Sequence, residues 1–372
     1  MPGPACDPTC GSAVEETACP AACGPAVRIS WVRSLGQVDC DRAPVVSAEV
    51  EGWVLVAAGT NEGAAPLWVK GIDADGCVRF DDRDGEGSRD GTVLGVAGDP
   101  AFGYLAVGRL DETLDDGTWR ARAWLRRYAP SGDIEWTRRE VADGDLIASG
   151  VAFEPDGGMH VVGGAAVDWP VGARGWSQRY DADGFPRGPA RWLGNAGVSH
   201  LLDVITDAGS AWVTMWLEDG STTEGALARL DPQGVPTWIR AGGEGRLAAA
   251  PDGEVLWIHY SALDRWTADG AASAVGALGR PWGSRFERAA VNADGEWFVV
   301  GAQGNAAVLH RFDADGTWRA MQPMMRVDGN RDDVVASDIS IAPDGALFIV
   351  GMTTRWDAES TCEAWLTKAY VE

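Results

Sequence analysis

The sequence predicts an all-β fold, a seven-bladed β-propeller of four-stranded antiparallel blades, and three observations predict it. A Gly-ended turn recurs seven times, at Gly52, Gly103, Gly157, Gly209, Gly253, Gly295 and Gly345, at steps of roughly 40 to 55 residues, the spacing of propeller blades. A second turn family alternates with the first but occurs six times, ending at Gly76, Gly132, Gly184, Gly234, Gly270 and Gly316. The seventh copy is replaced by the end of the chain, which closes on a strand, while an unpaired strand stands near its beginning.

The turns are written in a small alphabet. Glu154-Pro155-Asp156-Gly157, Asn292-Ala293-Asp294-Gly295 and Ala342-Pro343-Asp344-Gly345 pair a Gly that takes positive φ with an Asp or Asn that closes the loop through its side chain. An apolar second strand follows each one, as in Tyr104 to Gly108, Met159 to Gly163, Trp297 to Gly301 and Leu347 to Gly351. Third strands read Ala123-Trp124-Leu125-Arg126-Arg127-Tyr128 or Gly175-Trp176-Ser177-Gln178-Arg179-Tyr180, and fourth strands read Trp136-Thr137-Arg138 or Trp238-Ile239-Arg240. The last strand, Ala364 to Tyr370, matches a third strand and has no fourth after it. Trp31-Val32-Arg33 matches a fourth strand with nothing before it. The N-terminal strand is therefore expected to complete the last blade and close the ring, which removes the free radial edge.

The chain of 372 residues carries 55 acidic and 31 basic residues, a net charge of −24. Such a balance repels phosphate backbones and anionic lipid, so neither nucleic acid nor a membrane surface is an expected partner. No apolar run approaches the roughly 18 residues of a transmembrane helix. Four of the seven cysteines, Cys6, Cys10, Cys19 and Cys23, crowd a Pro/Gly/Ala-rich tail with no strand or helix period. Order in such a tail comes mainly from cross-links, which points to an oxidising compartment, a secreted, cell-surface or periplasmic location. No charged and apolar leader precedes it, so export is inferred from cysteine usage alone. The domain reading is a Cys-rich tail over 1–27 and a propeller over 28–372, expected to be monomeric.

The repeats resemble the bacterial propeller repeats of secreted and surface proteins, including the Trp-docking repeats of the quinoprotein-like family. In that pattern an Asp, a Gly and a Trp on the fourth strand lock neighbouring blades, and Asp231, Gly234 and Trp238 follow it best. A weaker similarity, to the Asp boxes of sialidase-like propellers, covers Ser131 to Trp136 and Asp313 to Trp318. Both resemblances lie in structural positions. They imply the fold without implying quinone chemistry, and the arginine triad of a sialidase has no counterpart.

In a propeller the two short turn families share one face, and the second-to-third and blade-to-blade loops share the other. Here the second face differs in every blade, and variable loops on a rigid scaffold are where binding sits. It collects Trp119, Trp169, Trp192, His200, Trp282, Arg285 and Trp356, with Asp115, Asp116, Asp168, Asp332, Asp333 and Asp357 among them. Aromatics interleaved with carboxylates suit a glycan or a protein hot spot. Asp81, Asp82 and Asp84 are weak candidate calcium ligands, set against the ordinary reading of a solvated charge run, and no other cofactor is expected. His160, His259 and His310 fall within strands, where packing is the ordinary explanation, and no nucleophile motif accompanies them. His259 and Trp216 also break a Gly position held in the other five second strands.

Topology places Cys40 and Cys362 together at the seam on the variable face, as a staple across the closing strand. Cys77 falls on the opposite face, where the tail emerges and one of its cysteines can pair. The expected function is non-catalytic binding of a protein or glycan. The alternatives are a propeller enzyme, either a quinoprotein-like dehydrogenase or a glycan-cleaving hydrolase, and a purely structural surface protein.

Overall fold

The structure is a computed structural model. It describes residues 27–371 apart from 41–42, 61–65, 86–87, 89, 115–116, 141–143, 167–173, 194–197, 208, 220–221, 251–252, 260–261, 274–283, 327–331 and 356–360.

Seven four-stranded antiparallel sheets form the propeller, each with its first strand innermost. Blade 1 is Val45–Val46, Trp53–Gly59, Leu67–Asp73 and Val78–Asp84; blade 2 is Asp90–Asp99, Gly103–Thr113, Trp119–Tyr128 and Ile134–Glu140. Blade 3 is Asp145–Phe153, Met159–Ala166, Arg174–Tyr180 and Arg191–Trp192; blade 4 is Val198–Asp207, Ser210–Asp219, Thr222–Leu230 and Pro236–Ala241. Blade 5 is Arg246–Ala249, Val255–His259, Ala262–Trp266 and Ala272–Ser273; blade 6 is Ser284–Val291, Trp297–Gln303, Ala306–Phe312 and Trp318–Arg326. Blade 7 is Asp332–Ile341, Leu347–Arg355 and Thr361–Val371, with Val27–Val38 as its outer strand. That strand pairs from Val27 against Val371 to Val38 against Cys362, so the ring closes as the sequence predicts.

The second strands are buried on both sides. Val54 to Ala58, Tyr104 to Val107 and Phe348 to Val350 have no exposed surface, because each lies between two neighbouring blades. The recurrent Gly on these strands has a steric cause. First strands carry a β-bulge at Val93/Gly95, Ala148/Gly150, Phe286/Arg288 and Ala336/Asp338. The bulge throws a carbonyl against the facing residue. A Cβ on Gly108, Gly163 or Gly301 would stand 1.9, 1.9 or 1.8 Å from the oxygen of Thr92, Ile147 or Arg285. Blade 4 escapes by shifting its bulges, so that Trp216 faces His200. In blade 5 the first strand begins at Arg246, opposite Ile258, so no first-strand residue opposes His259.

Neighbouring blades are locked at the second turn family. The carbonyl of the second turn residue, at Ala74, Pro130, Ala182, Pro232, Ala268 and Ala314, accepts a hydrogen bond from the preceding blade. Donors are the indoles of Trp31, Trp53 and Trp136 at 3.0, 3.1 and 3.4 Å, and the guanidinium groups of Arg179, Arg229 and Arg265 at 3.0, 2.6 and 3.0 Å. The turn glycines Gly76, Gly184 and Gly270 sit against Trp31, Trp136 and Trp238, the fourth-strand Trp of the blade before. Their positive φ, near 80°, and this contact both exclude a side chain. Blade 7 has no such turn, since its third and fourth strands come from opposite ends of the chain. Blade 6 correspondingly has Ala320, two residues into its fourth strand, where blades 2 and 4 have Trp136 and Trp238. The Gln322 side chain supplies the lock instead, accepting from Val27 N at 2.8 Å and donating to Val27 O at 2.7 Å.

Cys40 and Cys362 form a disulfide with a Cα separation of 5.2 Å, the predicted staple. The pairing of Cys77 with a tail cysteine falls outside the described residues. Reducing this disulfide, or replacing Cys362 with Ala, is expected to lower unfolding stability by roughly 3–5 kcal/mol, measured by denaturant titration with and without reductant. Gly163→Ala is expected to cost about 3 kcal/mol through overpacking against Ile147 O, whereas Gly304→Ala, at φ 60° with nothing within 4 Å, carries only the left-handed backbone cost of about 1 kcal/mol; equal losses in the two variants would contradict the steric account.

Candidate binding face and axial cluster

On the variable face the structure divides the residues nominated from sequence. Trp119 opens the third strand of blade 2 and is 48 % exposed; Trp192 ends the fourth strand of blade 3 and is 45 % exposed. These indoles differ from Trp53, Trp124, Trp176, Trp212, Trp257 and Trp297, which are buried between blades. Arg285 is exposed at the start of blade 6 and pairs with Glu287 at 2.5 Å. Asp333 is exposed at the start of blade 7. Trp169, Trp282 and Trp356, with Asp115, Asp116, Asp168 and Asp357, fall outside the described residues.

His200 is a correction. It does not reach the surface but is 8 % exposed between blades 3 and 4, with Nε2 2.6 Å from Ser149 Oγ. Its ring fills the space beside Gly164, where a Cβ would be 2.2 Å from Nδ1.

The calcium candidates do not converge. Asp82 accepts from Arg126 at 2.7 Å and Tyr128 at 2.7 Å, and Asp84 from Trp124 at 2.8 Å and Gly85 N at 2.7 Å, with Arg126 also bound. Strand alternation turns Asp81 away from both, toward Lys70 and Arg83, each at 3.6 Å. These carboxylates tie blade 1 to blade 2. Among the described residues no group of three His, Cys, Asp or Glu is arranged to hold a metal.

Sequence reading missed a buried charge cluster that lies on the axis. Each innermost strand has a free edge whose N–H and C=O groups need partners. Asp338 of blade 7 accepts from Val46 N of blade 1 at 2.9 Å, and Asp203 of blade 4 accepts from Leu247 N of blade 5 at 3.0 Å. Ser337 donates to Pro44 O at 2.7 Å, and Arg246 donates to Leu202 O at 2.9 Å. Arg288 of blade 6 binds both carboxylates, Asp203 through Nη1 and Asp338 through Nε at 3.2 Å, and so crosses the axis. Burial opposes its charge, but the two aspartates hold its pKa above the usual guanidinium value; burial raises the pKa of Asp338 despite the pull of Arg288. Blades 2 and 3 contribute Gly95 and Gly150, whose Cβ positions would lie 2.9 Å from Ser149 O and from the Asp203 Cα. The available sequence signal was position: Arg246, Arg288 and Asp338 each stand seven residues before a turn glycine, Gly253, Gly295 and Gly345.

His160 is held at 2.6 Å from Ser177 Oγ, and His259 lies 3.0 Å from Asp264 Oδ2. His310 is wholly buried against Phe286 and Phe312, and neither ring nitrogen has a hydrogen-bond partner in the described structure. Burial pushes His160, His200 and His310 down to about 4. The Ser149–His200 pair has the separation of a nucleophile and base, but Nδ1 of His200 has no orienting partner among the described residues, and so low a pKa makes a weak base. On the short-turn face, two equivalent clefts lie between blades. One, of about 240 Å³, is lined by Arg265, Asp294 and Trp297, and the other, of about 230 Å³, by Glu154, Arg179 and Thr206.

Against known proteins, no family model matches the chain, and no curated protein matches it. Among solved structures it is similar to virginiamycin B lyase from Staphylococcus aureus, at 12 % identity and a TM-score of 0.52, covering 90 % of this chain and 98 % of that one. It is similar also to a protein from Lactobacillus plantarum, at 13 % identity and TM-score 0.51, covering 86 % and 96 %. A protein of unknown function from Dyadobacter fermentans matches at 12 % and 0.51, covering 92 % and 99 %. At these identities the likeness shows the fold alone. Among the described residues no helix is long and apolar enough to cross a membrane.

The three depressed histidines predict the response to acid. Their folded pKa lies below the ordinary 6.5, so the unfolded chain takes up protons first. Their contribution is complete above about pH 6.5 and is lost as pH falls toward 4, by roughly 3 kcal/mol per buried ring. Melting curves between pH 7 and pH 4 are expected to show this loss. His310→Phe is expected to reduce it and to add about 1 kcal/mol at pH 7, because it removes a buried unsatisfied group. A variant that melts as the wild type does at both ends of the range would contradict this.

Proposed function

We propose that this chain is an exported, non-catalytic propeller that binds a protein or glycan partner through its variable face. The observation that carries the reading is the exposure of Trp119 and Trp192 on neighbouring blades of that face, in a protein that buries Trp53, Trp124, Trp176, Trp212, Trp257 and Trp297 in its core. An exposed indole offers a rigid apolar plane with a polar edge, suited to stacking on a sugar or anchoring a protein contact. The opposite face, of short repeated turns, engages its polar groups in holding blades together. The Cys40–Cys362 disulfide supports an oxidising compartment, secreted, periplasmic or at the cell surface. The reading assigns no cofactor and takes the chain as a monomer. A propeller enzyme, of dehydrogenase or glycan-cleaving type, is the less supported alternative, since the buried titratable groups of the axis are spent largely on one another and on strand edges.

Glycan microarrays and a panel of extracellular matrix and cell-envelope proteins identify the ligand; Trp119→Ala and Trp192→Ala then test the face by biolayer interferometry. Each substitution is expected to weaken binding at least tenfold and to change unfolding stability by less than about 0.5 kcal/mol. Undiminished binding by the double variant would overturn the assignment of the site.

A further inference from the structure

Arg246 stands apart from the rest of the axial cluster. It opens the innermost strand of blade 5 on the variable-face side, deep in the ring, yet part of its surface stays accessible. Its one specific hydrogen bond among the described residues goes from Nη1 to the carbonyl of Leu202. No carboxylate among the described residues pairs with it, in contrast to Arg288. The two axial carboxylates are already engaged. Asp203 Oδ1 accepts from Val204 N and Oδ2 from Leu247 N and Arg288, while Asp338 Oδ1 accepts from Ile339 N and Arg288 and Oδ2 from Val46 N. Burial, and then the like charge of Arg288, depress the Arg246 pKa against the pull of Asp203, Asp338 and Glu244, none of which forms an ion pair with it.

Removed from bulk water, such a group gains most from a monoanion that meets its planar fork with two oxygens. A dianion would meet the field of Asp203, Asp338 and Glu287, which interact with the same cluster. We propose that Arg246 is an anion-recognition residue that seats a carboxylate at the variable-face end of the axis, the carboxylate being that of a small organic acid or of an acidic sugar. The Ser149–His200 pair lies close enough on the side of blades 3 and 4 for the His200 ring to feel the same guanidinium. The site goes beyond the binding face described above and uses neither of its exposed indoles.

The probes are acetate, glucuronate and glucose, titrated by calorimetry and by melting temperature into the full chain, its Arg246→Gln and Arg246→Lys variants, and Arg319→Gln as a control on an exposed arginine in the outer strand of blade 6. Wild type and the control are expected to bind glucuronate and to be stabilised by it, with no response to glucose. Binding is expected to fall at least tenfold in Arg246→Gln and at least threefold in Arg246→Lys, which keeps the charge and loses the fork. Binding of acetate as well assigns recognition to the carboxylate alone; binding of glucuronate only assigns it to an acidic sugar. Should Arg246→Gln fail to fold, Arg246→Lys decides. Absence of binding to both acids, or equal affinity in wild type and the Lys variant, overturns the proposal. Neither result depends on Trp119 or Trp192, so this site and the binding face fail or stand separately.

Discussion

Seven innermost strands converge on one axis, and none has a neighbour on its inner side. That constraint organises the middle of the molecule. An unpaired N–H or C=O costs about as much as a broken hydrogen bond when it is shut away from water, and a ring has no room there for an eighth strand. The protein answers unevenly. Blades 2 and 3 close the gap with glycine, bringing backbones together, while blades 4, 5 and 7 reach the edge of a neighbour with charged side chains and blade 6 ties two of those carboxylates together through Arg288. The arginine that spans two aspartates of different blades offsets part of the cost of burying them, although the Asp338 carboxyl still stays above the usual carboxylate range. Removing one member of such a set leaves an uncompensated buried charge, so the network is sensitive in stability to single substitutions.

Much of the fold was legible because the repeat is written at turns, where side-chain chemistry and φ leave little choice. Gly157 and Gly345 are readable as turns from their neighbours alone, and counting two turn families to seven and six exposes the seam. The docking residues were legible too, at Trp136 and Trp238. What the pattern hid was its own exception. Ala320 replaces a docking Trp in the one blade that has no turn ahead of it, and Gln322 takes over by gripping the backbone of Val27. Two departures from a repeat, far apart in the chain, answer one another in space.

The binding face was legible in part. Trp119 and Trp192 sit at strand ends beside loops, where a repeat reading places the face without ambiguity. His200 lies within a strand, and the two register shifts around it, at Val198/His200 and Leu201/Asp203, break the alternation that tells inward from outward. The axial charges were hidden by the same device. A bulge in nearly every long first strand removes the period-two signal, so Asp203, Arg246, Arg288 and Asp338 read as scattered surface charges until the strands are aligned on the turns that follow them.

Closure by the N-terminal strand also bears on how the ring is reached. Blades 1 to 6 are each built from one continuous stretch and can form in the order in which the chain is made. The seventh cannot, because Val27 must find Val371. The entropy of closing so long a loop grows only slowly with its length, by about 0.6 kcal/mol for each doubling, so the burden falls on rate more than on final stability. An incomplete ring would expose the third strand of blade 7, with Trp365 and Leu366, as an open apolar edge until its partner arrives. That edge is a hazard for pairing between chains, and its lifetime is set by the slowest search in the molecule.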